Sequence, residues 1–202
     1  SPNMDAIASE GTVFTNHFVQ VPTCGASRYA LLTGMRPSKL EHLKNSAIEH
    51  EISGKEETEV PESFIHHLKR NGYHTLGIGK ISHSADGLVY GYEDPVSTKK
   101  ELPHSWDELL FNAGKWGTGW NAFFAYAKGE NRQSLKKQVK PYEAGEVSDQ
   151  GYPDGLTTEL AIAKLRELKD KEGPFFMGVG FFKPHLPFNA PKKYWDLYDR
   201  DQ

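Results

Sequence analysis

The sequence predicts an α/β fold with a mixed, largely parallel sheet flanked by helices, and three observations support this prediction. Short runs rich in β-branched and aromatic residues alternate with helical runs along the chain, which is the pattern of layered α/β proteins. Residues 175–182 (FFMGVGFF) are continuously apolar, as expected of a central strand covered on both faces. The 202 residues are enough for one domain or for part of a larger one.

The first predicted elements are a strand and a short helix. Residues 12–21 (TVFTNHFVQV) are dense in β-branched and aromatic side chains and end at Pro22, which favours a strand. Residues 27–34 (SRYALLTG) carry alanine and leucine at helical spacing and close on a glycine that suits a helix C-cap. A strand, a tight loop and a helix should therefore open the fold.

Two further helices and two further strands follow in the chain. Residues 61–71 place apolar side chains on one helical face, and residues 73–81 (YHTLGIGKI) read as a buried strand. Residues 156–171 repeat leucine and alanine at spacings of three and four, with Asp154 as the expected cap. The apolar run at 175–182 then forms the expected central strand.

Two stretches lack a clear periodic pattern. Residues 39–59 are rich in charge and predict a solvated loop. Residues 92–153 are rich in glycine, tryptophan, tyrosine and lysine, and we interpret them as an excursion from the core.

Charge and hydropathy exclude several classes of protein. The chain has 24 Lys and Arg against 27 Asp and Glu, a net charge of −3, without the basic excess typical of nucleic-acid binding. No apolar run approaches the roughly 18 residues of a membrane-spanning helix. The start of the chain at Ser1 lacks both an initiator methionine and a signal-peptide pattern, so we expect a fragment.

The single cysteine, Cys24, cannot form an internal disulfide.

Polar clusters follow three predicted elements at positions where α/β sheets collect ligands. One cluster follows the first predicted strand and begins a helix, and the other two follow the strands at 73–81 and 175–182. Most members are cationic, and a helix N-terminus adds free N–H groups near the thiol. Such a group would bind an anion with several oxygens, which suggests transfer or hydrolysis of a sulfuryl or phosphoryl group. The candidate residues are Cys24, Arg28, Lys80, His83, Lys183 and His185.

Four other histidines are expected at the surface. His66 and His67 lie on a predicted helix, and His42 and His50 lie in the charged stretch. Adjacent helical positions diverge by about 100°, so His66 and His67 make a poor zinc site.

The segment CGASR followed by YALLTG, at residues 24–34, resembles the signature of the formylglycine-dependent sulfatases. That signature has Cys or Ser, any residue, Pro or Ala, any residue and Arg, and Ala26 stands where Pro is usual. Residues 1–23, 77–83 (GIGKISH) and 181–188 (FFKPHLPF) also resemble family segments, in wording closest to the iduronate-2-sulfatase-like group. The resemblance implies an alkaline-phosphatase-like α/β fold. It further implies that residues 1–202 form an N-terminal part of one catalytic domain, with 92–153 as a variable excursion that could set specificity.

The resemblance also implies a chemistry. Cys24 would be oxidised after translation, by a formylglycine-generating enzyme, to a formylglycine whose hydrated aldehyde supplies the nucleophilic oxygen. Arg28 would hold this diol and help neutralise developing charge. Lys80 and His83 would bind sulfate oxygens, and the substrate would be a sulfated carbohydrate such as a glycosaminoglycan, or another sulfate ester.

The remaining two residues, Lys183 and His185, would act near the leaving group. His185 would be a candidate acid near the leaving oxygen and would bind substrate, and Lys183 would add positive field and contact substrate. Which histidine has which role stays open.

The family further requires a divalent cation, usually calcium. Its ligands would include Cys24 as formylglycine and Asp residues that we expect outside this chain. The chain alone should therefore be inactive, and its parent active. Kinship also suggests a periplasmic, extracellular or lysosomal compartment.

Two alternatives stay open at this stage. One is a phosphomonoester or phosphonate hydrolase of the same superfamily. The other is a non-catalytic carbohydrate-binding module built on an aromatic cluster, whose rings would otherwise simply pack a subdomain. These rings are Trp106, Trp116, Trp120, Phe123, Phe124 and Tyr126.

Overall fold

A three-stranded parallel sheet organises the molecule. The structure is a computed structural model and describes residues 1–199. Strand β1 (His74–Gly79) lies between β2 (Glu108–Leu110) and β4 (Phe175–Gly180), and both pairings are parallel. A second, two-stranded parallel sheet joins β3 (Tyr142–Gly145) to β5 (Phe188–Pro191). The predicted α/β class is confirmed.

Helices cover the sheet and carry the polar loops. In chain order the α-helices are α1 (Pro2–Glu10), α2 (Cys24–Thr33), α3 (Ala47–Glu51), α4 (Phe64–Arg70), α5 (Gly119–Phe123), α6 (Pro153–Leu168) and α7 (Lys192–Trp195). Short 3-10 turns occur at Leu40–Leu43, Glu57–Glu59, Gly114–Trp116 and Asp149–Gly151. No helix within residues 1–199 combines the length and apolar character needed to cross a membrane.

Three apolar clusters form the core. On one face of the sheet, Leu76 and Ile78 of β1 pack against Ala161 and Leu168 of α6. A second cluster joins α2, α3 and α4. The third is mostly aromatic and lies around α5, beyond the carboxyl end of β1. The second and third clusters are built on Tyr29, Leu32, Ile48, Ile65, Leu102 and Trp106, and on Ala85, Trp116, Trp120, Phe123 and Phe182, respectively.

The periodic segments are helices and strands as predicted. Helix α4 and strand β1 fall inside the ranges 61–71 and 73–81. Helix α2 begins three residues before the expected start and ends at Gly34, whose φ of 68° is the left-handed conformation that glycine adopts without strain. Helix α6 likewise begins earlier, at Pro153.

The predicted strand at residues 12–21 is wrong. Within the described chain this segment has no strand partner, and Phe14 and Phe18 are 74% and 80% exposed. High β-propensity favours a strand only where a neighbouring strand supplies hydrogen bonds and a packing surface.

The predicted solvated loop at 39–59 is also wrong. It forms α3 and two 3-10 turns, and Ala47, Ile48 and Ile52 are fully or almost fully buried in the cluster beside α2. Burial of these three apolar side chains stabilises the local structure, whereas Leu40 and Leu43 of the same stretch are exposed.

Strand β4 exists but is not central among the described residues. It lies at one edge of the three-stranded sheet, with most side chains only half-buried, whereas β1 is central. The prediction that residues 92–153 leave the core is wrong for one part, because this region supplies strand β2 to the sheet.

Two of the four histidines expected at the surface are buried, so that prediction is half wrong. The ring of His42 packs 4.7 Å from that of Tyr29, measured between centroids. Buried His66 makes a 2.6 Å Nε2···Oε1 hydrogen bond with Glu57. His50 and His67 are exposed, as expected.

The close approach of β1 and β4 at their carboxyl ends yields a stability prediction. Gly180→Ala should lower the free energy of unfolding by more than about 3 kcal/mol, because its Cβ would lie 1.9 Å from the backbone oxygen of Lys80. Gly178→Ala in the same strand is the control. Its Cβ would meet only side-chain atoms, 3.2 Å away or more, and we expect a loss of at most about 1 kcal/mol. Urea unfolding measures both, and equal losses would contradict the close approach.

Candidate functional site

Cys24 is the first residue of α2, and its thiol is free and exposed. The backbone N–H of Gly25 donates to Oδ1 of Asn45 at 2.9 Å. A Cβ at Gly25 would lie 2.0 Å from the backbone oxygen of Asn45, so only glycine fits at this position. The contact between Gly25 and Asn45 therefore fixes the start of the helix and the direction in which Cys24 points.

Arg28 joins α2 to the end of β1. Its Nη1 donates to the backbone oxygens of Lys80 at 2.9 Å and Ile81 at 2.7 Å. Burial lowers the pKa of Arg28, and the nearby Cys24 and Glu101 act in the opposite direction. Arg28 is thus a partly buried cation held between the thiol and the loop that follows β1.

Lys80 is the most deeply buried cation of the site, at 3% exposure. Its Nζ donates to the backbone oxygen of His83 and lies 5.1 Å and 5.7 Å from the ring centroids of Phe123 and Trp120. Burial, and then the charge of Arg28, lower the pKa of Lys80 to about 8. At neutral pH Lys80 therefore remains largely protonated in a poorly solvated place.

His83 lies beside Lys80 and Trp120, with its ring centroid 6.1 Å from that of Trp120. Burial, followed by the charge of Lys80, lowers the pKa of His83 to about 4, so the ring is neutral at pH 7. Its buried Nδ1 has no hydrogen-bond partner among residues 1–199. A cavity of about 480 Å³, lined in part by His83, Glu101 and Trp120, adjoins this ring.

His185 approaches the same cluster from the loop after β4. Its ring centroid lies 4.3 Å from that of Phe123, the ring that Lys80 also contacts. The Nδ1 atom lies 2.6 Å from the backbone oxygen of Leu186. Burial lowers the pKa of His185, and the charges of Lys183 and Lys80 lower it further. We call Cys24, Arg28, Lys80, His83 and His185 the Cys24 cluster.

Lys183 lies in the same loop as His185 but is not a member of this cluster. Its Nζ donates to the backbone oxygens of Pro187 at 2.5 Å and His185 at 3.2 Å, so its ammonium supports its own loop. Burial lowers the pKa of Lys183 to about 8. The structure therefore places Lys80, His83 and His185 against the rings of Phe123 and Trp120. Arg28 joins them through the backbone of Lys80, and Cys24 is within electrostatic reach of Arg28 and Lys80. Lys183, the sixth sequence-predicted residue, has a structural contact instead.

Asp154 does not cap α6, contrary to the sequence prediction. It lies in the first turn of α6, whose N-cap is Tyr152 without a side-chain hydrogen bond. The Asp154 carboxylate instead accepts hydrogen bonds from the backbone N–H groups of Phe182 at 2.8 Å and Lys183 at 3.0 Å. It thereby ties α6 to the loop that carries His185.

Sequence reasoning missed Glu101, the buried carboxylate of this site. Glu101 is 3% exposed, and its Oε2 accepts a 2.7 Å hydrogen bond from the backbone N–H of Ser84. Its charge raises the pKa values of Arg28, Lys80 and His83 against the effect of burial. It lies in the stretch without periodicity, where no sequence signal marks it.

The aromatic cluster is mainly a packing feature. Five of its six rings are buried, and Phe124 is half-buried. Trp120 and Phe123 additionally form the wall against which Lys80, His83 and His185 pack.

The residues described here do not by themselves fit a divalent cation. Within residues 1–199 no three His, Cys, Asp or Glu side chains are grouped so as to hold a metal ion, although calcium sites need several oxygen ligands. The two buried carboxylates near the site already have other partners. Glu101 lies near the cations Arg28 and Lys80, and Asp86 accepts hydrogen bonds from the Tyr90 hydroxyl and the Leu88 N–H.

The Asp154 contact yields a prediction. Asp154→Ala should lower the free energy of unfolding by about 2–4 kcal/mol, because two partly buried backbone N–H groups lose their acceptor. Asp154→Asn keeps one acceptor oxygen and should lose less. Denaturant unfolding measures the stability, and amide hydrogen exchange at Phe182 and Lys183 should accelerate in the alanine variant. Unchanged exchange at these two amides would refute the assigned role.

The lowered pKa of His83 predicts a pH dependence of stability. Between pH 6.5 and about 4 the unfolded state binds a proton at His83 that the folded state does not, so stability falls as the pH is lowered. This one group changes the folding equilibrium by at most about tenfold per pH unit. His83→Asn should remove that contribution, so wild type loses stability relative to the variant between pH 6.5 and 4.5. Parallel urea midpoints over this range would contradict the prediction.

Comparison with known proteins identifies the family. The sulfatase family model matches residues 1–202. Iduronate 2-sulfatase of Mus musculus is 32% identical over 206 residues, covering 98% of this chain, and that of Homo sapiens is 31% identical over 198 residues. The chain spans about a third of the length of each of these relatives. A phosphonate monoester hydrolase of Agrobacterium radiobacter has the same fold, with a TM-score of 0.64 at 20% identity over all of this chain and 39% of its own. The chain belongs to the sulfatase family.

Proposed function

We propose that the full-length protein hydrolyses sulfate esters at the Cys24 cluster, after oxidation of Cys24 to formylglycine. The observation that carries the proposal is that a buried cation, Lys80, and a partly buried one, Arg28, both lie within electrostatic reach of an exposed cysteine at a helix start. Family membership supports the same reaction. Formylglycine, when formed, supplies a hydrated aldehyde oxygen as nucleophile.

The two cations would bind the sulfuryl oxygens. Burial lowers the pKa of both groups, which means that the charged forms lack solvation in the folded protein. A bound sulfate ester would restore favourable electrostatics, and charge that develops on sulfur-bound oxygens would be stabilised further. Neutral His83, beside Lys80, would contribute a hydrogen bond through its ring.

His185 is the proposed acid for the leaving alcohol. Its Nδ1 faces the Leu186 carbonyl and therefore carries a hydrogen, which leaves Nε2 for the substrate. Protonated His185 would donate the Nε2 proton to the leaving oxygen and return to the neutral form. The negative charge of a bound sulfate ester would favour the protonated form, against the effects of burial, Lys183 and Lys80.

The finer assignments rest on relatives and on the family resemblance. The names of the mouse and human relatives favour a sulfated carbohydrate of the glycosaminoglycan type as substrate. The divalent cation, maturation by a formylglycine-generating enzyme and an exported or lysosomal location stay predictions.

Peptide mass tests the modification. Trypsin should release a peptide that ends at Arg28 and contains Cys24, since residues 1–27 contain no Lys or Arg. From a host with formylglycine-generating activity we expect the mass of the aldehyde or its hydrate, and a Cys24→Ala variant provides the control. A fully unmodified thiol from such a host would contradict the proposed nucleophile.

Ester preference tests the reaction. The full-length protein, supplied with calcium, should hydrolyse the sulfate ester of a phenol faster than its phosphate ester, and Cys24→Ala should abolish turnover. The second candidate, a phosphomonoester or phosphonate hydrolase, is suggested by the name of the structural neighbour from Agrobacterium radiobacter. Preference for phosphate, lost in Cys24→Ala, would favour that candidate instead.

A further inference from the structure

We propose that Arg132, held on the rings of Tyr92 and Phe124, forms a second anion-binding subsite next to the Cys24 cluster. It would bind a carboxylate or a second sulfate on the substrate whose ester is cleaved. This inference rests on the proposed function and adds a substrate class, namely sulfate esters that carry another anionic group.

The side chain of Arg132 is positioned but not neutralised. Its guanidinium carbon lies 4.9 Å from the ring centroid of Tyr92 and 5.7 Å from that of Phe124. Within residues 1–199 the guanidinium has no hydrogen bond or ion pair. Stacking uses the faces of a guanidinium and leaves its N–H edge for a planar or tetrahedral anion, which arginine binds with two parallel hydrogen bonds.

Two neighbouring cations, Lys137 and Lys140, are paired with carboxylates. Lys137 pairs with Glu93 at 2.7 Å, and Lys140 lies 3.9 Å from a carboxylate oxygen of Glu130. Both lysines are exposed, so their pairs contribute little. The Glu93 carboxylate is also close enough to Arg132 for the arginine to lower its pKa, although Lys137 has the larger effect. Arg132 is therefore a cation of this segment that aromatic rings hold in place and no carboxylate of residues 1–199 pairs with, so it can bind an external anion.

The aromatic support of Arg132 continues into the Cys24 cluster. The Tyr92 ring centroid lies 4.4 Å from that of Trp120, which in turn contacts His83. The Phe124 centroid lies 6.2 Å from that of His185. Arg132 thus stands at the outer end of the wall that positions both site histidines.

Tyr92 is within electrostatic reach of both Arg132 and Cys24. Burial raises the pKa of the Tyr92 hydroxyl, the charge of Arg132 lowers it, and Cys24 raises it. Together with the ring contacts from Arg132 through Tyr92 to Trp120, this proximity gives a substrate seated at Cys24 a route along the Tyr92 ring toward the guanidinium.

Binding of unreactive anions tests the subsite without turnover. We compare benzenesulfonate with arenesulfonates that carry a carboxylate or a second sulfonate on flexible chains of several lengths, by calorimetry with the full-length protein. At least one dianion should bind about tenfold more tightly than benzenesulfonate, and Arg132→Gln should remove this difference. Arg132→Lys should keep part of it, because the charge remains without the fork. Lys137→Gln, a nearby variant with the same charge change, should have no effect.

Kinetics separate the subsite from the reaction. For the carboxylate-bearing aryl sulfate with the preferred chain, Arg132→Gln should raise KM about tenfold, and kcat/KM for the unsubstituted aryl sulfate should change less than twofold. The carboxylate and sulfonate series show which anion is preferred. Equal losses on the unsubstituted and the carboxylate-bearing aryl sulfates, or no binding difference between mono- and dianions in wild type, would overturn the subsite. Absence of sulfate-ester turnover with the dianion preference intact would instead refute the proposed function.

Discussion

The burial of the Lys80 ammonium is the constraint on which the site depends. A buried cation is costly unless neighbouring groups or a ligand compensate it, and here the compensation is incomplete. One backbone oxygen and two aromatic faces contact Nζ, while Arg28 adds a second positive charge nearby. Glu101 offsets part of this charge. The positive charge near Cys24 is therefore incompletely compensated, and an anion with several oxygens would stabilise it.

A close backbone approach and hydrogen bonds from side chains to the backbone create this arrangement. Strands β1 and β4 approach so closely at Gly79 and Gly180 that neither position admits a Cβ. The chain then turns at Lys80, and Arg28 secures the turn from α2 through two backbone oxygens. Asp154 performs the corresponding task for the loop after β4. Two loops from adjacent parallel strands are thereby held against one aromatic wall, as expected at the carboxyl edge of such a sheet.

Residue spacing in the sequence predicted the helices, strands and caps that depend on nearby residues. The helix at 61–71, the strand at 73–81 and the Gly34 cap follow from spacing and glycine alone. The strand-end rule also selected Lys80, His83 and His185, because parallel strands bring their ends together. The failures have tertiary causes. Residues 12–21 lack a partner strand, and Asp154 serves a distant loop instead of its own helix. Glu101, Trp120 and Arg132 come from a stretch whose placement depends on long-range contacts that spacing does not encode.

The most direct test of this account is the affinity of the full-length protein for inorganic sulfate, measured calorimetrically at pH 7 for wild type and Lys80→Met. Removal of the buried charge should weaken sulfate binding at least tenfold, or by about 1.4 kcal/mol. The unfolding midpoint should not fall, since methionine does not bear the solvation cost of an ammonium. Equal sulfate affinity in the two proteins would contradict the claim that this buried cation makes the site an anion site.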